Sequence, residues 1–123
     1  MTLLDEPYVS LATYRRDGSE VRTPVWIAPA GECWYVFSAG DAGKVKRIRA
    51  NPRARIAPCD LRGNVFGSWL DAQARIVAEP AIVERGYAAL RRKYGWKMKL
   101  LDFFSGLSGK KKQRALIELR LAA

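Results

Sequence analysis

Trp34-Tyr35-Val36-Phe37-Ser38-Ala39-Gly40-Asp41-Ala42-Gly43-Lys44-Val45-Lys46-Arg47-Ile48-Arg49 is the stretch that decides the fold. The four apolar residues Trp34 to Phe37 read as a buried strand. Ser38 to Gly43 is small and turn-prone, and a short helix starts near Gly43. Val45 and Ile48 are three apart and share a helix face, which we assign to the core. Lys44 and Arg47 flank that face. The free N–H groups of a helix start attract anions, and cations beside them strengthen the attraction. The stretch therefore reads as a phosphate site at the end of a strand. A solvated basic helix is the competing reading, because runs of charge are commonly exposed faces.

Working outward, Tyr8 to Tyr14 reads as a strand, and Asp17-Gly18 signals a hairpin. Val21, Thr23, Val25 and Ile27 alternate with Arg22, Pro24 and Trp26, giving a second strand. Pro24 cannot donate to a ladder, so it belongs at an edge, at a bulge or beside a ligand. Pro29-Ala30-Gly31-Glu32 turns the chain into the strand that opened this reading. Asn51-Pro52 ends the basic helix, Arg53 to Cys59 is a strand, and residues 61–67 form a loop. A longer strand, Ser68 to Ala78, follows. Pro80 suits the first turn of a helix running to about Tyr94, with Ile82, Tyr87, Leu90 and Tyr94 on its apolar stripe. A shorter amphipathic helix covers Lys97 to Phe104, and Ile117, Leu119 and Leu121 alternate in a last strand. Six short strands with late helices predict one domain over residues 1–123, mainly β with α, folded as a small antiparallel barrel.

Composition narrows the chemistry. The chain carries no histidine, which removes Ser-His-Asp and Cys-His catalysis and His-ligated zinc. Cys33 and Cys59 lack metal-type spacing and read as free, buried thiols, so no metal is expected. Twenty-two Lys and Arg against 12 Asp and Glu give a net charge of +10, which points to an anionic partner. No apolar run reaches the length of a membrane span, and Met1 to Glu6 lacks the pattern of a signal peptide. We therefore expect a cytoplasmic protein without a membrane partner. No recognition helix or aromatic RNA-binding pattern is visible, which argues against nucleic acid.

Four pieces, in this order, resemble the pyridoxamine 5′-phosphate oxidase-like split β-barrel family. They are Thr23-Pro24-Val25-Trp26; Gly43-Lys44-Val45-Lys46-Arg47; Ala57-Pro58-Cys59-Asp60 with Arg62-Gly63; and Arg91-Arg92-Lys93-Tyr94-Gly95-Trp96. Within the family the chain is most similar to the small branch of deazaflavin (coenzyme F420)-dependent oxidoreductases. The resemblance implies a six-stranded antiparallel split barrel of the FMN-binding type, and a homodimer with cofactor sites at the subunit interface. It implies that the tricyclic ring lies along Thr23, Pro24, Val25 and Trp26, and that the phosphate is held near Ser38, Lys44, Lys46 and Arg47. Arg22 falls where the flavin-binding oxidases use an arginine for the phosphate, and Trp69 is the residue that would close the site from the other subunit. The residues that bind substrate phosphate near the C-terminus of the oxidases have no convincing match, which argues against vitamin B6 oxidation. No catalytic side chain is assigned. The expected function is hydride transfer from reduced F420 to a small organic substrate. FMN is the alternative cofactor, and non-catalytic binding of a cofactor or of nucleic acid is the alternative class.

Overall fold

The strand periodicity of the sequence is realised in one curled sheet. The structure, a computed structural model, describes residues 6–40, 42–100 and 114–121. Seven strands appear in chain order: β1 Tyr8–Tyr14, β2 Glu20–Val25, β3 Ala28–Ala30, β4 Cys33–Ala39, β5 Arg53–Cys59, β6 Leu70–Val77 and β7 Arg114–Leu121. Helix α1 spans Gly43–Ala50 and helix α2 spans Pro80–Tyr94. All pairings are antiparallel, and the sheet order is β2-β1-β5-β6-β7-β4-β3.

That order closes the barrel by itself. β2 and β3 lie at opposite ends of the sheet, yet only Trp26 and Ile27 separate them. Three peptide steps span at most about 10 Å, so the two edges must meet there. No ladder pairs β2 with β3, so the barrel is split at the point where it closes. The expected strand count of six becomes seven for this reason. The sequence pattern runs through Trp26-Ile27 as one strand, but the chain leaves the β1 ladder at Val25 and joins the β4 ladder at Ala28. Pro24 sits on the edge strand β2 opposite Ser10, where its missing donor costs no ladder bond on the open side.

Side chains on the two faces of the strands build two cores. Val9, Leu11, Val25, Val36, Ile56, Ile117 and Leu119 fill the barrel, and Ile48 of α1 plugs it together with them. Cys33, Tyr35 and Leu116 point the other way and pack under α2 with Leu90, Tyr94 and Met98. β4 is covered on both faces, which explains its unbroken apolar run. Val45 and Ile48 are the buried residues of α1, as their spacing predicts. Cys33 and Cys59 are free and buried. Gly86 lets α2 approach the sheet: a Cβ there would lie 2.5 Å from Leu116 Cδ2 and 2.9 Å from Tyr35 Cδ1. The helix predicted from Lys97 is present as helical structure over residues 96–100, and its continuation to Phe104 lies outside the described residues. No described helix is long and apolar enough to cross a membrane.

One polar line crosses the sheet beneath α2. Tyr35, Glu118 and Arg75 face one another on β4, β7 and β6. The Tyr35 hydroxyl donates to Glu118 Oε2 at 2.9 Å, and Arg75 Nε donates to Oε1 at 2.8 Å. Burial pushes the Glu118 carboxyl up, but the bonds from Arg75 and Tyr35 outweigh it and hold the group below its ordinary value. Burial and the neighbouring carboxylate push Tyr35 to about 12, so it remains a donor. Glu118→Ala should cost about 2–3 kcal/mol in urea unfolding, because it strands the buried Tyr35 hydroxyl. Tyr35→Phe should cost nearer 1 kcal/mol, since Glu118 keeps Arg75. A carboxyl held low stabilises above its ordinary pKa of 4.5 and loses that contribution on acidification. The stability gap between wild type and Glu118→Ala should therefore narrow as the pH falls below that value. An equal cost for the two substitutions would rule out this arrangement.

Candidate functional site

The split in the barrel opens a cavity of about 260 Å³. Its apolar wall comes from Pro24, Val25 and Trp26 at the end of β2 and Phe37 on β4. Tyr8 of β1, Leu61 of the β5–β6 loop and Lys44 of α1 complete it. Residues far apart in sequence meet here because β2, β4 and the start of α1 all end at the same rim.

Trp26 is fixed from behind. Its ring stacks on Tyr94 at 4.4 Å between centroids, nearly parallel, and meets Phe37 edge-on at 6.1 Å. Such pairs favour offset or edge contacts and hold rings in place. The Tyr94 hydroxyl accepts from the Ile27 N–H at 2.9 Å and donates to the Pro7 carbonyl at 2.8 Å. Lys93 Nζ donates to the Ile27 carbonyl at 2.7 Å. Burial raises Tyr94 to about 12, which makes it a structural hydroxyl and a poor acid.

The anion end lies at the start of α1. Its N-cap, Ala42, offers no capping side chain, and the first turn holds no acidic residue. The bare N–H groups and the helix dipole leave partial positive charge there. Lys44 is half-buried and makes no hydrogen bond or ion pair with any described residue. Burial and the nearby Arg47 lower its pKa. The Arg47 side chain folds back against the helix start, where a Cβ on Gly43 would lie 2.7 Å from Nη1. Arg47 Nε donates to Thr13 Oγ1 at 2.7 Å, and burial with Arg15 lowers its pKa. Two cations, both held below their ordinary values, thus share one helix start, and no carboxylate of the described residues pairs with either. An anion would be stabilised here.

The other residues expected at the site separate into three groups. The Thr23 hydroxyl is buried without a hydrogen-bond partner among the described residues, and Thr23 does not line the cavity. Such groups cost free energy until a donor or acceptor arrives. Ser38 is buried, and its hydroxyl donates to the Ala39 carbonyl at 3.2 Å. Lys46 is exposed on the outer face of α1. Arg22 and Trp69 are brought to each other and do not line the cavity of their own chain. Arg22 and Arg55 sit over the Trp69 ring at 4.7 and 4.6 Å, and Glu20 pairs with both arginines.

Sequence reasoning missed several lining residues. Tyr8 and Phe37 read as ordinary strand residues, and Leu61 as part of a loop. A second cavity of about 190 Å³, lined by Val83, Tyr87, Arg91 and Arg114, was also missed. Phe37 joins the two, since it lines the first and lies 5.2 Å from the Arg114 guanidinium and 6.4 Å from the Tyr87 ring. The four-residue spacing of Tyr87 and Arg91 on α2 was the available signal, but Tyr87 read as part of the apolar stripe and Arg91 as part of a piece carrying the family resemblance.

With fold and site in view, comparison with known proteins assigns the class. A family model described as pyridoxamine 5′-phosphate oxidase matches residues 2–123, and the chain belongs to that family. Solved split-barrel structures superpose on it. An F420 reductase is 25% identical, with a TM-score of 0.63, covering 98% of this chain and 91% of its own. The heme storage protein of Vibrio cholerae is 17% identical, with a TM-score of 0.73 and coverage of 97% and 84%. A FAD-binding protein from Mesorhizobium loti is 16% identical, with a TM-score of 0.60 and coverage of 98% and 83%. No curated protein matches the chain.

A half-buried lysine with no counter-charge among the described residues should burden the free protein. Lys44→Met should raise its stability by about 1 kcal/mol, a typical gain when a functional strain is relieved. Inorganic phosphate or pyrophosphate should raise the melting temperature of wild type and leave that of the variant unmoved. Destabilisation by Lys44→Met, with an unchanged response to phosphate, would contradict the anion site.

Proposed function

We propose that this cavity binds the ring of a deazaflavin or flavin cofactor, with its phosphate at Lys44 and Arg47, and that the protein uses reduced F420 to reduce a small organic molecule. The observation that carries the reading is the half-buried Lys44, unpaired among the described residues, at the end of an aromatic-walled cavity. The residues present fit such a group: an apolar wall for the ring and a positive helix start for the phosphate. The F420 reductase, with the highest identity of the three structures above, favours the deazaflavin over FMN, as does the net charge of +10, because F420 carries an acidic tail.

When bound, the cofactor supplies hydride chemistry, and the chain supplies binding, orientation and electrostatics. Pro24 to Trp26 would set the plane of the ring. Lys44, Arg47 and the first turn of α1 would hold the phosphate. Tyr8 is the one hydroxyl among the lining residues, and water entering the open mouth is the other proton source. The second cavity, with Arg91 and Arg114 around Tyr87, would take an acidic portion of the substrate or of the cofactor tail. We also propose a homodimer. Phe66 and Leu70 are exposed four residues apart, a surface that a second copy would cover.

Titration by fluorescence or calorimetry tests the assignment. F420 should bind more tightly than FMN, and the preference should shrink as salt shortens the Debye length below about 8 Å. Lys44→Ala should weaken both by about tenfold or more, as befits a charge-assisted contact, while Lys97→Ala leaves them within about twofold. Because Lys44 titrates early, affinity should fall as the pH rises through its lowered pKa, and Lys44→Arg should flatten that decline. Tighter, salt-independent FMN binding would move the chain to the flavin reading. Sedimentation equilibrium should return twice the chain mass, and a monomer that retains cofactor affinity would exclude an interface site.

A further inference from the structure

The loop between β5 and β6 presents an apolar side chain where burial would ordinarily be preferred. Leu61 is 68% exposed, yet it lines the cavity with Pro24, Trp26 and Lys44. Leaving a leucine in water forgoes about 1–2 kcal/mol of burial. A mobile loop could fold the side chain away, but this turn is braced. Asp60 Oδ1 accepts from the N–H groups of Arg62 and Asn64, both at 2.9 Å, and Oδ2 accepts from Asn64 Nδ2 at 3.0 Å. The Asp60 N–H donates to the Asn64 carbonyl at 3.1 Å, and the Gly63 N–H donates to the Asp60 carbonyl at 3.0 Å. Hydrogen bonds from Asn64 hold the Asp60 carboxyl below its ordinary value, so the brace persists at neutral pH. Gly63 adopts φ +90°, which only glycine takes without strain, and a Cβ there would sit 3.9 Å from Pro24 Cδ. The turn therefore abuts the same strand that walls the cavity.

We infer that Leu61 is a preorganised contact for the ring of the bound cofactor, and that Asp60 acts through it as a positioning residue. The inference rests on the cofactor reading above and adds the residue that covers the ring. An exposed apolar group held rigidly at a cavity mouth has already met the ordering cost of binding, so contact with a planar ring gains affinity directly. The remaining wall residues anchor the ring from the barrel side through Trp26, and the phosphate is held at a distinct point by Lys44. Leu61 should thus affect ligands that carry a ring and leave a bare anion untouched.

The experiment compares FMN, F420 and inorganic phosphate on the full chain. Leu61→Ala should weaken both ring ligands about tenfold while the phosphate-induced rise in melting temperature stays at the wild-type value. Leu61→Met, which keeps an apolar side chain of similar size, should bind within about twofold of wild type. Asp60→Ala should weaken the ring ligands in the same direction and speed amide hydrogen exchange at residues 62–64, a response that loss of Leu61 alone would not produce. If wild type binds neither ring ligand, the cofactor reading falls and this inference falls with it. If wild type binds them and Leu61→Ala binds equally well, the role of Leu61 is refuted while the cofactor reading stands. Equal loss for phosphate and ring ligands would also refute it, since the effect would then be general.

Discussion

The hydroxyl of Tyr94 fastens the barrel. Where the chain crosses from the last residue of β2 to the first of β3, the Ile27 N–H has no ladder partner, and an unpaired buried donor is costly. Tyr94 accepts that hydrogen bond and passes its own to Pro7, while Lys93 takes the Ile27 carbonyl. The last turn of α2 thus holds both sides of the split at one residue. The same Tyr94 ring carries Trp26 on its face, so the group that satisfies the backbone also fixes the aromatic wall of the cavity. Fold closure and site geometry depend on one side chain.

The second constraint is electrostatic. A small basic chain could spread its cations over the surface, where they interact weakly. This one places Lys44 and Arg47 at an uncapped helix start, partly withdrawn from water, with like charge as their neighbour. The energetic cost is carried by the burial of Val45 and the packing of Ile48 into the barrel, which hold α1 where it is. Glu20 and Glu118, by contrast, are each engaged by arginines elsewhere and do not reach the site. This segregation of charge is the feature an anionic cofactor would exploit.

Much of this was readable from residues. Tyr8 to Tyr14 read as a strand with the observed ends of β1, and Pro80 with the apolar stripe gave α2 to its observed ends. The three-residue spacing of Val45 and Ile48 gave the buried face of α1 and, with it, the side on which Lys44 emerges. The break at Trp26-Ile27 was not readable. Both residues continue the strand pattern, and only the Tyr94 hydroxyl, 67 positions away, makes the departure from the ladder affordable in a closed sheet. Leu61 and Phe37 were missed because lining a cavity is a property of where elements end, and local sequence carries no mark of that. Arg22 and Trp69 were placed by resemblance, and the local physics adds Arg55, whose guanidinium also lies over the Trp69 ring, which spacing alone does not disclose.

The central claim is that a ring binds against Trp26 with its phosphate at Lys44. The four tryptophans report on this directly, because each indole N–H gives its own nuclear magnetic resonance signal. Titration with FMN or F420 should move the Trp26 indole and the Lys44 amide strongly, while the indole of Trp96, exposed beyond the end of α2, stays in place. A titration in which Trp96 moves and Trp26 does not would contradict the account.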